Sequence, residues 1–247
     1  MIRVLLAGHK GRVGAALEPA LMVADEIDYA GGVRRGEDIV SALREKQPRV
    51  LVDFTHPEVG LDHALAAVAA GVAPVVGTSG ITPAGLDHLE RACAERGVGG
   101  IVAPNFAVGA VLLMWLAGKA APFFDSADVI EMHHAAKADA PSGTAVATAR
   151  RLAAARPDRP FNYSETEKVL VEGARGGVSQ GVGLHSVRIP GVLAEQEVLF
   201  GLPGQTLSLA HRTTSRECYV PGVLLAVRRV AAEPRFYRGL EPLLGLT

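Results

Sequence analysis

Only two cysteines, Cys93 and Cys218, occur in the chain, and neither belongs to a Cys-x-x-Cys pair. A disulfide is not expected, and a reducing, cytoplasmic setting fits that usage. Long apolar runs are missing too. Ile2–Ala7 is too short for a signal-peptide core, and the stretch Ala64–Val76 is too short to span a bilayer and is interrupted by Gly71 and Pro74. Neither sign of charge dominates: 25 basic residues face 26 acidic ones, so no long-range field draws the chain to nucleic acid or an anionic membrane. An anionic small molecule must be caught by local groups. What the sequence does have is apolar content, 49% against 21% charged residues, enough for a substantial core in one large domain or two modest ones.

The first hundred residues alternate short β-branched runs with helical patterns. Strands are predicted at Ile2–Ala7, Tyr29–Val33, Val50–Phe54, Ala73–Val76 and Gly100–Ala103, with helices at Val13–Ala24, Asp38–Glu45, Glu58–Ala70 and Pro83–Arg96. That alternation reads as an α/β, Rossmann-like doubly wound parallel sheet. Further on come a helix over Ala107–Ala121, a strand at Val129–His133 and a helix after Ser142. Three runs, Leu184–Ile189, Glu197–Phe200 and Thr206–His211, are separated by Pro190-Gly191 and Pro203-Gly204, which are antiparallel signals. Gly173–Gly183 reads as a loop, and the apolar helix Val223–Val230 as an element returning to the first layer.

Gly8-His9-Lys10-Gly11-Arg12-Val13-Gly14 joins the first strand to the first helix. Glycines there let main chain approach a pyrophosphate, and the helix start offers free amides and a favourable dipole. The spacing is G-x-x-G-x-x-G rather than G-x-G-x-x-G, so strand–helix context carries the reading, and a plain turn is the competing explanation. At the end of the second strand, where a carboxylate would hold the ribose of NAD, stand Arg34 and Arg35. Guanidinium groups suit a 2′-phosphate, which predicts that NADPH is used at least as well as NADH. The alternative is a solvated loop in which Glu37 and Asp38 neutralise the pair. Gly77-Thr78-Ser79-Gly80 and Ala103-Pro104-Asn105-Phe106 leave later strands at the ligand-binding edge. They reach the nicotinamide half, one through hydroxyls and backbone, the other through Asn and an aromatic face. Asp53-Phe54-Thr55 ends the third strand at the same edge, with a turn cap by Asp53 as the competing explanation.

The densest polar cluster runs from Glu131 to Ala145, EMHHAAKADAPSGTA. Adjacent His133 and His134 at a strand end point to opposite faces and cannot easily share a metal ion, so no metal site is expected. One imidazole beside Lys137 offers a proton near neutral pH and an ammonium for an anionic substrate. Ser142 is the expected N-cap of a helix whose first amides, at Gly143 and Thr144, would seat a carboxylate together with the Thr hydroxyl.

This cluster resembles the signature of the dihydrodipicolinate reductase family, E-x-H-H-x-x-K-x-D-A-P-S-G-T-A, at every fixed position. The glycine loop, Asp53-Phe54-Thr55, the Gly77–Gly80 loop and Ala103–Phe106 occur in the family's order. The resemblance implies reduction of 4-hydroxy-tetrahydrodipicolinate with NADPH or NADH, on the diaminopimelate route to lysine. It implies His133 as catalytic acid/base, Lys137 as second proton donor, and His134, Ser142, Gly143 and Thr144 around the substrate. It also implies nucleotide contacts from Gly8, His9, Lys10, Gly11, Arg12 and Val13, from Gly77, Thr78 and Ser79, and from Ala103, Pro104, Asn105 and Phe106. The implied architecture is a split cofactor domain, residues 1–106 and 216–247. It is split around a middle domain, 107–215, carrying an open mixed sheet that forms a homotetramer.

Two other classes compete. Gly177-Val178-Ser179-Gln180-Gly181 fits the G-x-S-x-G of hydrolases, but a nucleophile elbow needs strand, turn and helix, and here a loop precedes and a strand follows. A dinucleotide-sensing regulator would keep the sheet but leave His133 and Lys137 without purpose.

Overall fold

The computed structural model describes residues 1–78 and 80–246; Ser79, one of the expected cofactor contacts, lies outside them. The chain forms two compact units, Met1–Val108 together with the chain from Arg216 on, and Gly109–Ser215.

The first unit begins β1 (Ile2–Ala7), α1 (Gly14–Val23), β2 (Ile27–Val33), α2 (Ile39–Lys46), β3 (Val50–Asp53), α3 (Pro57–Ala69), β4 (Ala73–Val76), α4 (Pro83–Arg96) and β5 (Gly100–Val102). The second unit contains α5 (Val108–Ala120, of which Val108 belongs to the first unit), β6 (Ser126–His133), α6 (Gly143–Ala154), β7 (Gly177–Ser179), β8 (Val182–Arg188), β9 (Ala194–Leu202) and β10 (Gln205–Thr213). The chain then returns to the first unit as α7 (Val220–Ala232) and β11 (Phe236–Arg238).

In the first unit the six strands are all parallel, in the order β11-β5-β4-β3-β1-β2. Val4 to Ala7 and Val50 to Val52 are fully buried, as continuous apolar runs must be when helices cover both faces. Helix starts follow local chemistry: Asp38 accepts from Val40 N and Ser41 N, Thr82 accepts from Gly85 N, and Pro57 and Pro83 open their helices. Strand order reverses at β1, so the crevice at its carboxyl end, where the glycine loop starts, is where such sheets take ligands. The edge strand β11 was not expected from sequence; its three residues are too few to show a period.

The second unit is a five-stranded mixed sheet, β10-β9-β6-β8-β7. α6 packs one face through Ala145, Ala149 and Leu152 against Val129, Val182, Leu184 and Val198, while alternate residues of β6 stay half-exposed. Two sequence expectations are corrected here. The run at Leu184–Ile189 is not antiparallel to the next one, because β8 and β9 flank β6 instead of pairing; β8 is parallel to β6, whereas β9 is antiparallel to both β10 and β6. The long crossover through α6 makes that parallel pairing possible. Gly177–Ser179 is not loop but the edge strand β7, hairpinned onto β8 through Gln180 and Gly181 at positive φ. Ser179 thus ends a strand that turns into another strand, which is not the geometry of a nucleophile elbow.

Candidate active site

Gly8 has φ +82°, and a Cβ there would stand 2.7 Å from the Phe54 carbonyl oxygen. At Gly14 a Cβ would stand 2.1 Å from the Gly8 oxygen, to which Gly11 N also donates at 2.8 Å. The loop therefore folds on itself more tightly than any side chain permits. Val13, preceding α1, supplies no side-chain cap, and the Ala15 and Ala16 amides already donate to the Gly11 and Val13 carbonyls, both at 2.9 Å, so an anion here is left to the amides ahead of them. These residues fit a dinucleotide phosphate. The His9 ring turns inward, its Nδ1 3.0 Å from Glu18 Oε1, under Gly32, where a Cβ would collide with it at 2.2 Å. Hydrogen bonds from His9 and Tyr29 hold the Glu18 carboxyl below its ordinary range. Lys10 and Arg12 are exposed.

Arg34 is committed to Glu37: its main-chain N, Nε and Nη2 all donate to that carboxylate, at 2.8, 3.0 and 2.8 Å. Asp38 is occupied by the α2 cap, and Arg35 is exposed.

Asp53 does more than cap a turn. Its carboxylate, 0% exposed, accepts from Thr55 N (2.9 Å), Thr55 Oγ1 (2.6 Å), Thr78 Oγ1 (2.9 Å) and His63 Nδ1 (2.8 Å). Gly77 lies flat on Phe54, whose ring is 2.2 Å from where a Cβ would be. The expectation that Phe106 offers an aromatic face is corrected: its ring is 1% exposed and packs on Phe54 at a centroid distance of 5.5 Å. What Ala103, buried, and Phe106 can present is main chain; Pro104 is exposed, and Asn105 Oδ1 accepts from Ala107 N at 2.9 Å.

In the second unit, β6 ends at His133 and the chain turns through His134, whose carbonyl accepts from Lys137 N at 3.1 Å. His133 Nδ1 lies 2.5 Å from Glu131 Oε2. Burial lowers the affinity of that imidazole for a proton, and the carboxylate beside it only partly restores it, so its pKa lies below the ordinary value. A neutral imidazole next to a carboxylate donates from Nδ1 and leaves Nε2 with a lone pair.

Glu131 itself is 1% exposed. Burial raises its pKa, but hydrogen bonds from Arg188, Ser186 and His133 outweigh that and keep it ionised. Arg188 clamps it with both terminal nitrogens, at 2.9 and 2.7 Å, and Ser142 N donates to it at 3.1 Å. The same guanidinium donates to the Asp139 carbonyl at 2.7 Å, tying the Lys137–Asp139 turn to β8. Lys137 forms an ion pair with Asp139, 2.7 Å, and stands near enough to His133 for its charge to help lower the affinity of that imidazole for a proton.

Ser142 Oγ accepts from Ala145 N at 3.1 Å and is nearly buried, so it caps α6. With Ala145 N satisfied, the first two amides, of Gly143 and Thr144, are the ones left without a helical acceptor. Gly143 is open: nothing stands within 4 Å of a Cβ built there. Arg188, His63 and the role of Glu131 escaped the sequence reading. The one signal for Arg188 is strand register, which places it opposite His133, and that is visible only once β6 and β8 are known to run parallel.

Family models described as the N-terminus and the C-terminus of dihydrodipicolinate reductase match residues 2–106 and 109–244. The 4-hydroxy-tetrahydrodipicolinate reductase of Mycobacterium sp. strain KMS is 47% identical over the full length of both chains. That of Moorella thermoacetica is 43% identical over 98% of each. A dipicolinate-bound dihydrodipicolinate reductase from Paenisporosarcina sp. TG-14 superposes with a TM-score of 0.87 at 34% identity, covering 98% of this chain and 99% of that one. Similarity at this level, continuous through both units and through the polar turn after β6, means that the chain belongs to the dihydrodipicolinate reductase family.

Proposed function

We propose that the chain reduces 4-hydroxy-tetrahydrodipicolinate to tetrahydrodipicolinate with loss of water, in the diaminopimelate route to lysine, with His133 and Lys137 as its proton-handling residues. The observation that carries this assignment is the turn between β6 and α6, where an oriented imidazole, a lysine and two helix-start amides lie within twelve consecutive residues, 133–144. A nicotinamide nucleotide, when bound, supplies the hydride. The glycine loop from Gly8 to Val13 and the main chain of Gly77–Thr78 and Ala103–Phe106 hold it.

Gly143 N and Thr144 N at the start of α6 seat one substrate carboxylate, with His134 beside it. Departure of the ring hydroxyl as water consumes a proton. Lys137 delivers that proton, and neutral His133 takes up through Nε2 the proton lost from the ring carbon next to the departing hydroxyl and returns it to that carbon once the hydride has arrived; the Glu131–His133 contact supports this division. Pairing of Arg34 with Glu37 leaves NADPH and NADH both usable, NADPH at least as well, with Arg35 the freer guanidinium. The dipicolinate carried by the Paenisporosarcina relative is a planar ring dicarboxylate, which suits helix-start amides plus a lysine. Assembly is a homotetramer through the second unit, where Val187 of β8 and Ile189 just beyond it are exposed, and sedimentation velocity measures it. No helix among the described residues is long and apolar enough to cross a membrane; the expected location is the cytoplasm.

The test is oxidation of NADPH or NADH in the presence of freshly condensed aspartate semialdehyde and pyruvate. Turnover that depends on both the condensation product and this protein supports the assignment; none with either cofactor removes it.

A further inference from the structure

Asp53 and His63 take no part in the chemistry described above, yet Asp53 is fully buried and His63 largely so. β3 ends in Asp53; α3 carries His63; Thr55 follows β3 and Thr78 follows β4. One carboxylate thus joins three separate segments at the carboxyl edge of the sheet.

Its environment is unusual in composition. A buried ionised carboxylate is costly unless paired and hydrogen-bonded, and three of its four partners here are an amide and two hydroxyls. His63 Nδ1, at 2.8 Å, is the remaining one, and its ring is largely buried. Thr78 is gripped from the other side as well: its side chain lies against Gly60 of α3, where a Cβ would approach it to 3.0 Å. Gly77 N donates to the Asp53 carbonyl at 2.9 Å, so both residues of this loop are anchored to the same aspartate, one through main chain and one through side chain. Phe54, between Asp53 and Thr55, supports the loops on either side. Its carbonyl abuts Gly8 and its ring abuts Gly77.

We infer that the Asp53–His63 pair is a positioning device for the cofactor, fixing the Gly77–Thr78 loop and the Phe54 shelf under the glycine loop so that their main-chain groups face the nicotinamide nucleotide. Thr78, with its hydroxyl spent inward, contributes backbone rather than side chain. His63 acts through Asp53 and touches no ligand. This rests on the nicotinamide reading of the first unit.

The test measures cofactor binding without substrate, by NADPH fluorescence titration of the full-length protein, with steady-state kinetics alongside. His63→Leu removes the donor and leaves the carboxylate short of one partner, and the expected result is a Kd for NADPH raised about tenfold, as befits loss of a hydrogen bond to a buried charge. His63→Asn, whose amide nitrogen takes the place of Nδ1, recovers most of the affinity. KM for the cofactor follows Kd, while kcat falls less than KM rises. Thr78→Val cuts the anchor at its other end and raises Kd in the same direction, so the inference remains testable if the leucine variant folds poorly. Equal Kd in wild type, His63→Leu and Thr78→Val overturns it. So does a loss confined to kcat, or an asparagine variant no better than leucine. A wild-type protein that binds no nicotinamide nucleotide brings down the assignment of function as well, whereas normal wild-type binding with indifferent variants removes only this inference.

Discussion

The two units prepare for anionic ligands in opposite ways. Around β1 the structure works by leaving side chains out: Gly8, Gly11 and Gly14 let the loop fold against its own main chain, and the nearest cations turn elsewhere, Lys10 toward Glu18 and Arg34 onto Glu37. After β6 it works by putting charge in, with His133, Lys137, Asp139, Glu131 and Arg188 linked in one network. Each arrangement stands on a buried carboxylate. Asp53 is met mainly by neutral donors and an imidazole, Glu131 by a bidentate guanidinium. Amides and hydroxyls suffice where the task is shape; an arginine is used where a neighbouring imidazole must keep one tautomer.

The sharpest way to break this comparison is to remove the imidazole. His133→Gln is expected to lower kcat by about 10²–10⁴, the range for a lost proton-handling group. Its thermal midpoint should stay near that of wild type, and a variant retaining more than a tenth of the activity ends the assignment. Next comes Arg188→Met, which strands Glu131 in the interior and should cost about 3–5 kcal/mol in urea unfolding. Thr78→Val, which takes one neutral donor from Asp53, should cost roughly 1 kcal/mol by the same measurement. Equal losses would mean the two carboxylates are held alike. Gly14→Ala confronts the Gly8 carbonyl and should weaken NADPH at least tenfold, about 1.4 kcal/mol, while a pyridine dicarboxylate still binds, as calorimetry would register.

Titration separates the units further. Because burial lowers the His133 pKa, the acid limb of kcat/KM should fall below the ordinary imidazole range, with the neutral, active form present above it. Glu131→Gln withdraws the one influence that raises it, so the limb should move further toward acid, as NMR titration of the ring would also record. The smallest effect belongs to Arg34→Ala: with that guanidinium already paired at the surface, the NADPH to NADH preference should change only about threefold, within the roughly 1 kcal/mol typical of exposed ion pairs.

Much of this was legible in the residues. The central strands β1, β3 and β4 announce themselves because burial on both faces demands unbroken apolar runs, and the chemical turn because His133 to Thr144 are consecutive. What escaped is what depends on tertiary pairing. Arg188 reaches Glu131 from 57 residues away, and His63 meets Asp53 across a helix turn and a loop. Pro190-Gly191 looks like a hairpin turn, yet it carries the chain from one side of β6 to the other. Aromatic character made Phe106 look like a stacking platform, but a phenyl ring beside Phe54 is more stable buried than offered to water.

The return of α7 and β11 to the first sheet also constrains the order of synthesis. Until α7 and β11 have been made, β5 presents a raw edge, and β3 and β4 lack the helix that comes to lie against them. A nascent chain stopped at residue 215 would expose sticky strand and apolar surface together, the conditions under which partially made proteins aggregate. The first unit is thus opened before the second is made and closed only after it.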